Sequence, residues 1–96
     1  MKGEIIMRLK NKVILVTAST RGIGLAIVKA CAKEGGIVYM AARDLARAQE
    51  EADKLNAEGG RVYCVYNDAT KPETFVSMVD KTVQQAGRID VLVNNF

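Results

Sequence analysis

Ser19-Thr20-Arg21-Gly22-Ile23-Gly24 brings together two hydroxyls, a guanidinium and two glycines. These are residue types that hold anions. Hydroxyls and guanidinium donate to phosphate oxygens, and glycines let backbone N–H groups come close. The stretch follows a short apolar run, residues 13–16, and opens an amphipathic one, residues 23–33. A buried strand turning into a helix through such a loop leaves free N–H groups at a partly positive helix N-terminus, which suits a diphosphate. The spacing therefore predicts a loop that holds a dinucleotide.

Three further clusters end apolar runs. In Ala41-Ala42-Arg43-Asp44, Asp44 lies about 20 residues past Gly24, the spacing of a carboxylate that accepts from the ribose of NAD. However, Ala42 follows the strand directly, and Asp44 also suits a helix N-cap. Arg43, taken with Arg21, matches a 2′-phosphate in bidentate fashion, so the pair predicts NADP. The competing role for Arg43 is a solvated surface side chain. Asn67-Asp68-Ala69-Thr70 closes the third run, where Asp68 is either a ligand contact or a turn residue leading to a Thr70 cap. Asn94-Asn95-Phe96 closes the fourth, and an Asn pair there also makes a plain turn.

The elements that must position these clusters are legible as an alternation. Lys12-Val13-Ile14-Leu15-Val16-Thr17 is a β-branched run expected of a parallel strand covered on both faces. Ile23, Ala26, Ile27, Ala30 and Cys31 predict the inner face of a first helix, closed by Glu34-Gly35-Gly36. Residues 37–41 form a second strand, and Leu45, Ala48, Ala52 and Leu55 line a second helix capped by Asp44. Residues 61–66 are a third strand. Thr70-Lys71-Pro72-Glu73 has the form of a capping box opening a third helix, with Phe75, Val76, Val79, Val83 and Ala86 facing inward. Residues 89–94 are a fourth strand.

The alternation βαβαβαβ predicts an α/β fold of the Rossmann type, a doubly wound parallel sheet in the order 3-2-1-4. Strand four is then a bare apolar edge, so residues 1–96 are expected to be the cofactor-binding half of a longer single-domain protein.

Composition narrows the function class. The apolar fraction of 49% supports a packed core, and the charged fraction of 26% a soluble surface. No apolar run approaches the roughly 20 residues of a membrane span, and residues 1–7 are too short for a signal peptide, so a cytoplasmic address is expected. The net charge of +3 is scattered and few aromatics accompany it, which argues against nucleic acid. Two unpaired cysteines and no histidine argue against zinc. They read as buried free thiols.

The general fingerprint Gly-x-Gly-x-x-Gly fails, since its third glycine would fall on Ile27. Thr17-Ala18-Ser19-Thr20-Arg21-Gly22-Ile23-Gly24 instead resembles the Thr-Gly-x-x-x-Gly-x-Gly loop of the short-chain dehydrogenase/reductase family. Ala18 replaces the first glycine, a substitution the loop accepts if that residue keeps a negative φ. The resemblance implies that Ser19, Thr20, Arg21, Gly22, Ile23 and Gly24 hold the cofactor phosphates. It also implies that Asp68 and Ala69 meet the adenine, and that Asn94 and Asn95 brace the sheet and line the ribose. Phe96 stands where the family usually has alanine. Within the family, residues 38–43, Ser77-Met78-Val79 and residues 87–96 are similar to a bacterial subgroup acting on the 7α-hydroxyl of bile acids.

The family's chemistry uses a Ser and a Tyr-x-x-x-Lys pair, and tyrosinate takes the hydroxyl proton as hydride leaves. Four residues after Tyr39, Tyr63 and Tyr66 stand Arg43, Asn67 and Thr70, so no catalytic residue is assigned. The implied protein is an NADP-dependent alcohol dehydrogenase, a homotetramer when whole. Its substrate is a small alcohol or ketone, with no nucleic-acid or membrane partner. The alternatives are a non-catalytic dinucleotide-binding module or another member of the family, such as a 3-oxoacyl reductase. The absence of Gly-x-x-x-x-Gly-Lys-Ser/Thr excludes P-loop phosphoryl transfer.

Overall fold

The run at residues 13–17 is strongly apolar on both of its alternating faces, so it is stable only with helices on each side. A computed structural model describes residues 8–95 and places this strand, β1 (Val13–Thr17), fully buried inside the sheet. Residues 1–7, which bear on the signal-peptide reading, and Phe96 lie outside the described residues. The remaining elements are α1 (Gly22–Lys33), β2 (Ile37–Ala42), α2 (Leu45–Ala57), β3 (Arg61–Tyr66), α3 (Glu73–Ala86) and β4 (Val91–Val93). The four strands are parallel in the order β3-β2-β1-β4, as the alternation predicts.

Each sheet face carries its own core. Ile14, Val16, Val38, Met40 and Val62 pack against Val28 of α1 and Ala48 and Ala52 of α2. Val13, Leu15, Tyr39, Ala41 and Val65 pack against Met78 of α3 on the other. Tyr39 and Tyr63 are register partners on that second face and stack at 5.2 Å between ring centroids. Burial of the Tyr39 phenol, and then the neighbouring Tyr63, raise its pKa.

Two helices turn a different face inward from the expected one. In α1 the buried line is Gly24 and Val28, flanked by Leu25, Ile27, Cys31 and Ala32, while Ile23 is 72% exposed and Ala26 and Ala30 face solvent. The reason is steric. The helix rests where its backbone approaches the sheet most closely, and that point is a glycine. In α3 the expected Phe75, Val79 and Ala86 do pack against the core, but the most buried line is Thr74, Met78 and Thr82, and Val76 and Val83 are exposed. A threonine is tolerated there because its hydroxyl finds a backbone partner: Thr82 Oγ1 donates to the Met78 carbonyl at 2.8 Å. The expected face of α2 holds at Ala48, Ala52 and Leu55, whereas Leu45 is exposed.

The capping box at residues 70–73 does not form. Pro72 occupies the N-cap position with helical φ, and no side chain caps α3. Thr70 instead bonds backwards: its hydroxyl donates to Asp68 Oδ1 at 2.7 Å, and its amide does so at 2.9 Å. Strand four is also shorter than the predicted 89–94. Asp90, just before it, clamps β1 twice: its amide donates to the Val13 carbonyl at 2.9 Å, and its carboxylate accepts from the Val13 amide and from Arg88 Nε, both at 2.8 Å. Among the described residues β4 pairs with β1 alone, and its Val91 and Leu92 are exposed. The two cysteines are free and half-buried rather than fully buried.

Candidate functional site

Parallel strands deliver all their carboxyl ends to one edge of the sheet, so the loops leaving β1, β2, β3 and β4 converge there. The loop from β1 is held from three sides. Thr17 Oγ1 lies 3.3 Å from both the Val93 carbonyl and Asn94 Oδ1, and accepts from the Asn95 amide at 2.8 Å. Asn95 Nδ2 donates to the Ala18 carbonyl at 3.3 Å. Ser19, fully buried, donates through Oγ to the Ala41 carbonyl at 3.4 Å.

Ala18 departs from expectation. Its φ is +48°, in the left-handed region, so the alanine sits where the family's glycine would be unstrained. Its carbonyl must turn to meet Asn95 Nδ2, and the backbone takes the strained conformation to do so. Gly22 also has a positive φ, +60°, which only glycine adopts freely. Gly24 is needed for space. A Cβ there would collide with the Ala18 carbonyl and lie 2.7 Å from Asn95 Nδ2.

Helix α1 therefore begins against the sheet edge with its N-terminus open. Arg21 is the N-cap with extended backbone, no side chain caps the helix, and its first turn holds no acidic residue. Uncapped N–H groups at a partly positive helix end suit an anion. The second loop is different, because Asp44 Oδ1 accepts the Arg47 amide at 3.1 Å and caps α2. The carboxylate is thus engaged as the cap, the second of the two roles read for it.

The third loop centres on Thr74, which is buried. Its hydroxyl accepts from the Asp68 amide at 3.0 Å and from Asn67 Nδ2 at 3.2 Å, and lies 2.8 Å from the Lys71 carbonyl. Asp68 is fixed between that contact and Thr70. The Thr70 hydroxyl and amide hold its carboxyl below the usual carboxylate range, with Lys71 and Arg43 adding in the same direction.

These loops enclose a cavity of about 370 Å³. Of the residues predicted from the sequence, Thr20, Arg21, Arg43, Asp68 and Ala69 line it. Ser19, Gly22, Ile23, Gly24, Asn94 and Asn95 do not. Ser19 and Asn95 shape the loop instead, Gly22 and Gly24 admit its turn and its close packing, and Ile23 points to solvent. The cavity also takes in Ala18 and Asn67, which stand in the motifs without an assigned contact, and Arg47, which lies outside them. The only sequence cue to Arg47 is its place four residues after Arg43.

The cavity is basic and offers hydrogen bonds to a ligand, but it contains no nucleophile paired with a base. No group of His, Cys, Asp or Glu suited to a metal occurs among the described residues. Burial raises both thiols, Cys31 and Cys64, the latter with help from Asp53, which makes them poor nucleophiles. No helix among the described residues is long and apolar enough to cross a membrane.

A family model described as short chain dehydrogenase matches residues 12–96. The 7alpha-hydroxysteroid dehydrogenase of Clostridium sardiniense is 49% identical over 89 residues, 93% of this chain and 34% of that protein. The enzyme of the same description from Paraclostridium sordellii is 46% identical, over 93% of this chain and 33% of its own. Among solved structures, L-sorbose reductase from Gluconobacter frateurii, complexed with NADPH and L-sorbose, superposes with a TM-score of 0.87. It is 38% identical, over 96% of this chain and 35% of its own. The chain thus spans about a third of the length of the curated relatives it matches.

Proposed function

Because the chain belongs to the short-chain dehydrogenase family of oxidoreductases, we propose that residues 1–96 are the NADP-holding part of a secondary-alcohol dehydrogenase whose substrate is a bile acid 7α-hydroxyl. One observation carries the cofactor reading: Arg21 and Arg43 line one cavity, and the nearest carboxylate at the end of β2, Asp44, is engaged as a helix cap. A ribose 2′-hydroxyl needs an acceptor there, and a 2′-phosphate needs donors. Arg21 and Arg43 supply such donors, beside the carboxylates of Asp44 and Asp68.

The group fits the chain's own features. The open α1 N-terminus and the space kept by Gly24 suit a diphosphate, with Thr20 and Arg21 beside it. Asp68 and Ala69 suit the adenine end. Asn94 and Asn95 hold the β4 end against β1, so the loop is positioned before any ligand arrives. A bound nicotinamide supplies the hydride acceptor or donor, while this chain's residues bind and orient. The bile-acid assignment rests on the likeness to the two hydroxysteroid dehydrogenases. The same reading places the whole protein in the cytoplasm as a homotetramer, with the small-molecule substrate its only partner beyond the cofactor.

The test is a cofactor switch. Arg43→Asp is expected to weaken NADP binding by about 10- to 100-fold, the loss of a charge-assisted contact worth roughly 1.5–3 kcal/mol. NAD binding is expected to change little. Equal losses for both cofactors would remove the phosphate role from Arg43. Oxidation of chenodeoxycholate by the whole protein, followed as NADPH absorbance, tests the substrate; turnover of polyols in its place would replace the bile acid.

A further inference from the structure

Three arginines line the cavity, and the motif accounts for two of them. The third is Arg47, in the first turn of α2. Among the described residues the guanidinium groups of Arg21, Arg43 and Arg47 make no hydrogen bond or ion pair. Two arginines elsewhere are engaged: Arg61 Nη2 donates to Asn11 Oδ1 at 2.7 Å, and Arg88 Nε to Asp90 Oδ2 at 2.8 Å. Each of the cavity's two carboxylates has its Oδ1 engaged, that of Asp44 by the Arg47 amide and that of Asp68 by Thr70.

Asp44 creates a specific difficulty at this end of the cavity. A phosphate monoester carries a charge of about −1.5 to −2 at neutral pH and three acceptor oxygens. The α2 N-terminus would ordinarily attract it, but that end already holds a carboxylate of like charge. One guanidinium can bind two of the three oxygens in bidentate fashion. Further cations serve the remaining oxygen and offset Asp44. Arg47 is on the same element as Asp44 and opens onto the same cavity as Arg43.

We propose that Arg47 is a further specificity-determining residue for the adenosine 2′-phosphate, acting with Arg43 and Arg21. The proposal rests on the NADP reading above. It adds Arg47 to that pair and leaves the diphosphate to the α1 N-terminus.

The experiment measures binding of 2′,5′-ADP and ADP by calorimetry to the whole protein and to Arg47→Gln, Arg47→Lys and Arg43→Gln. Glutamine is close to arginine in helix propensity, and the Asp44 cap uses the backbone amide of residue 47, so the variant is expected to fold; a thermal melt checks this. The expected result is a roughly tenfold loss of 2′,5′-ADP affinity in Arg47→Gln with ADP within about twofold of the parent. Arg47→Lys is expected to recover part of the loss, since it restores the charge without the fork. Unchanged 2′,5′-ADP binding in Arg47→Gln, alongside a selective loss in Arg43→Gln, overturns the proposal and leaves the NADP reading standing. An equal loss of both ligands in Arg47→Gln overturns it too. A parent protein that binds ADP as well as 2′,5′-ADP overturns the NADP reading itself.

Discussion

Ala18 shows how one side chain alters a loop without changing its course. At a φ of +48° an alanine is strained by about 1–2 kcal/mol, because its Cβ crowds the following carbonyl. The surroundings hold it there: Asn95 Nδ2 takes its carbonyl, and its neighbours Thr17 and Ser19 are bonded to the ends of β4 and β2. Ala18→Gly relieves the strain but gives back about 0.5–1 kcal/mol through the freer unfolded chain. The expected outcome is a net stabilisation of about 0.5–1 kcal/mol in urea denaturation, with dinucleotide binding retained. A destabilised variant would mean that the alanine methyl makes a contact worth more than the strain.

At the scale of elements, α3 has to be joined to β3 so that Asp68 stays in the cavity. The sequence suggested that Thr70 makes this junction as a cap, but Thr74 makes it from inside the first turn of α3, with two donors from Asn67 and Asp68 converging on its hydroxyl. Replacing Thr74 by valine preserves shape and leaves both donors buried without that partner. The expected loss is about 1–3 kcal/mol, measured by chemical denaturation. Thr70→Val is expected to cost less, because Thr70 is exposed and its amide still reaches Asp68. Had the capping box formed, the order of the two would be reversed.

Across the whole molecule, Asp90 ties β1 to the start of β4 and Asp68 holds the loop after β3, and both contacts are acid-sensitive. The Val13 amide, and then Arg88, hold the Asp90 carboxyl below its usual value of 3.8, as Thr70 does for Asp68. A carboxyl whose folded pKa is depressed adds stability that is fully present above the unfolded value and is lost as pH falls through the folded one. Stability should therefore fall below pH 3.8. Asp90→Asn should be less stable than the parent near neutral pH, and the gap should narrow as pH falls below 3.8, read from urea melts at neutral and acid pH. A gap that does not depend on pH would assign the whole loss to hydrogen-bond geometry rather than to charge.

The sequence alone determined the sheet and its order. Strand and helix periods differ, β-branched runs of this length are stable only when covered on both faces, and right-handed crossovers with a switch after strand three give the order 3-2-1-4. It also determined which loops meet, because parallel strands deliver their carboxyl ends to one edge. The tertiary structure decided which face of α1 and α3 turns inward, since that depends on the tightest backbone approach, at Gly24, and on backbone acceptors for Thr74 and Thr82. It decided that Asp44 is a cap and that Arg47 opens onto the cavity. It also decided that Ala18 takes the left-handed conformation. The Ala18 and Gly24 contacts join residues far apart in the chain, and the outlook of Arg47 depends on the direction of a helix axis; neither is written in local spacing, whereas the Asp44 cap, three residues from its partner, was already legible there.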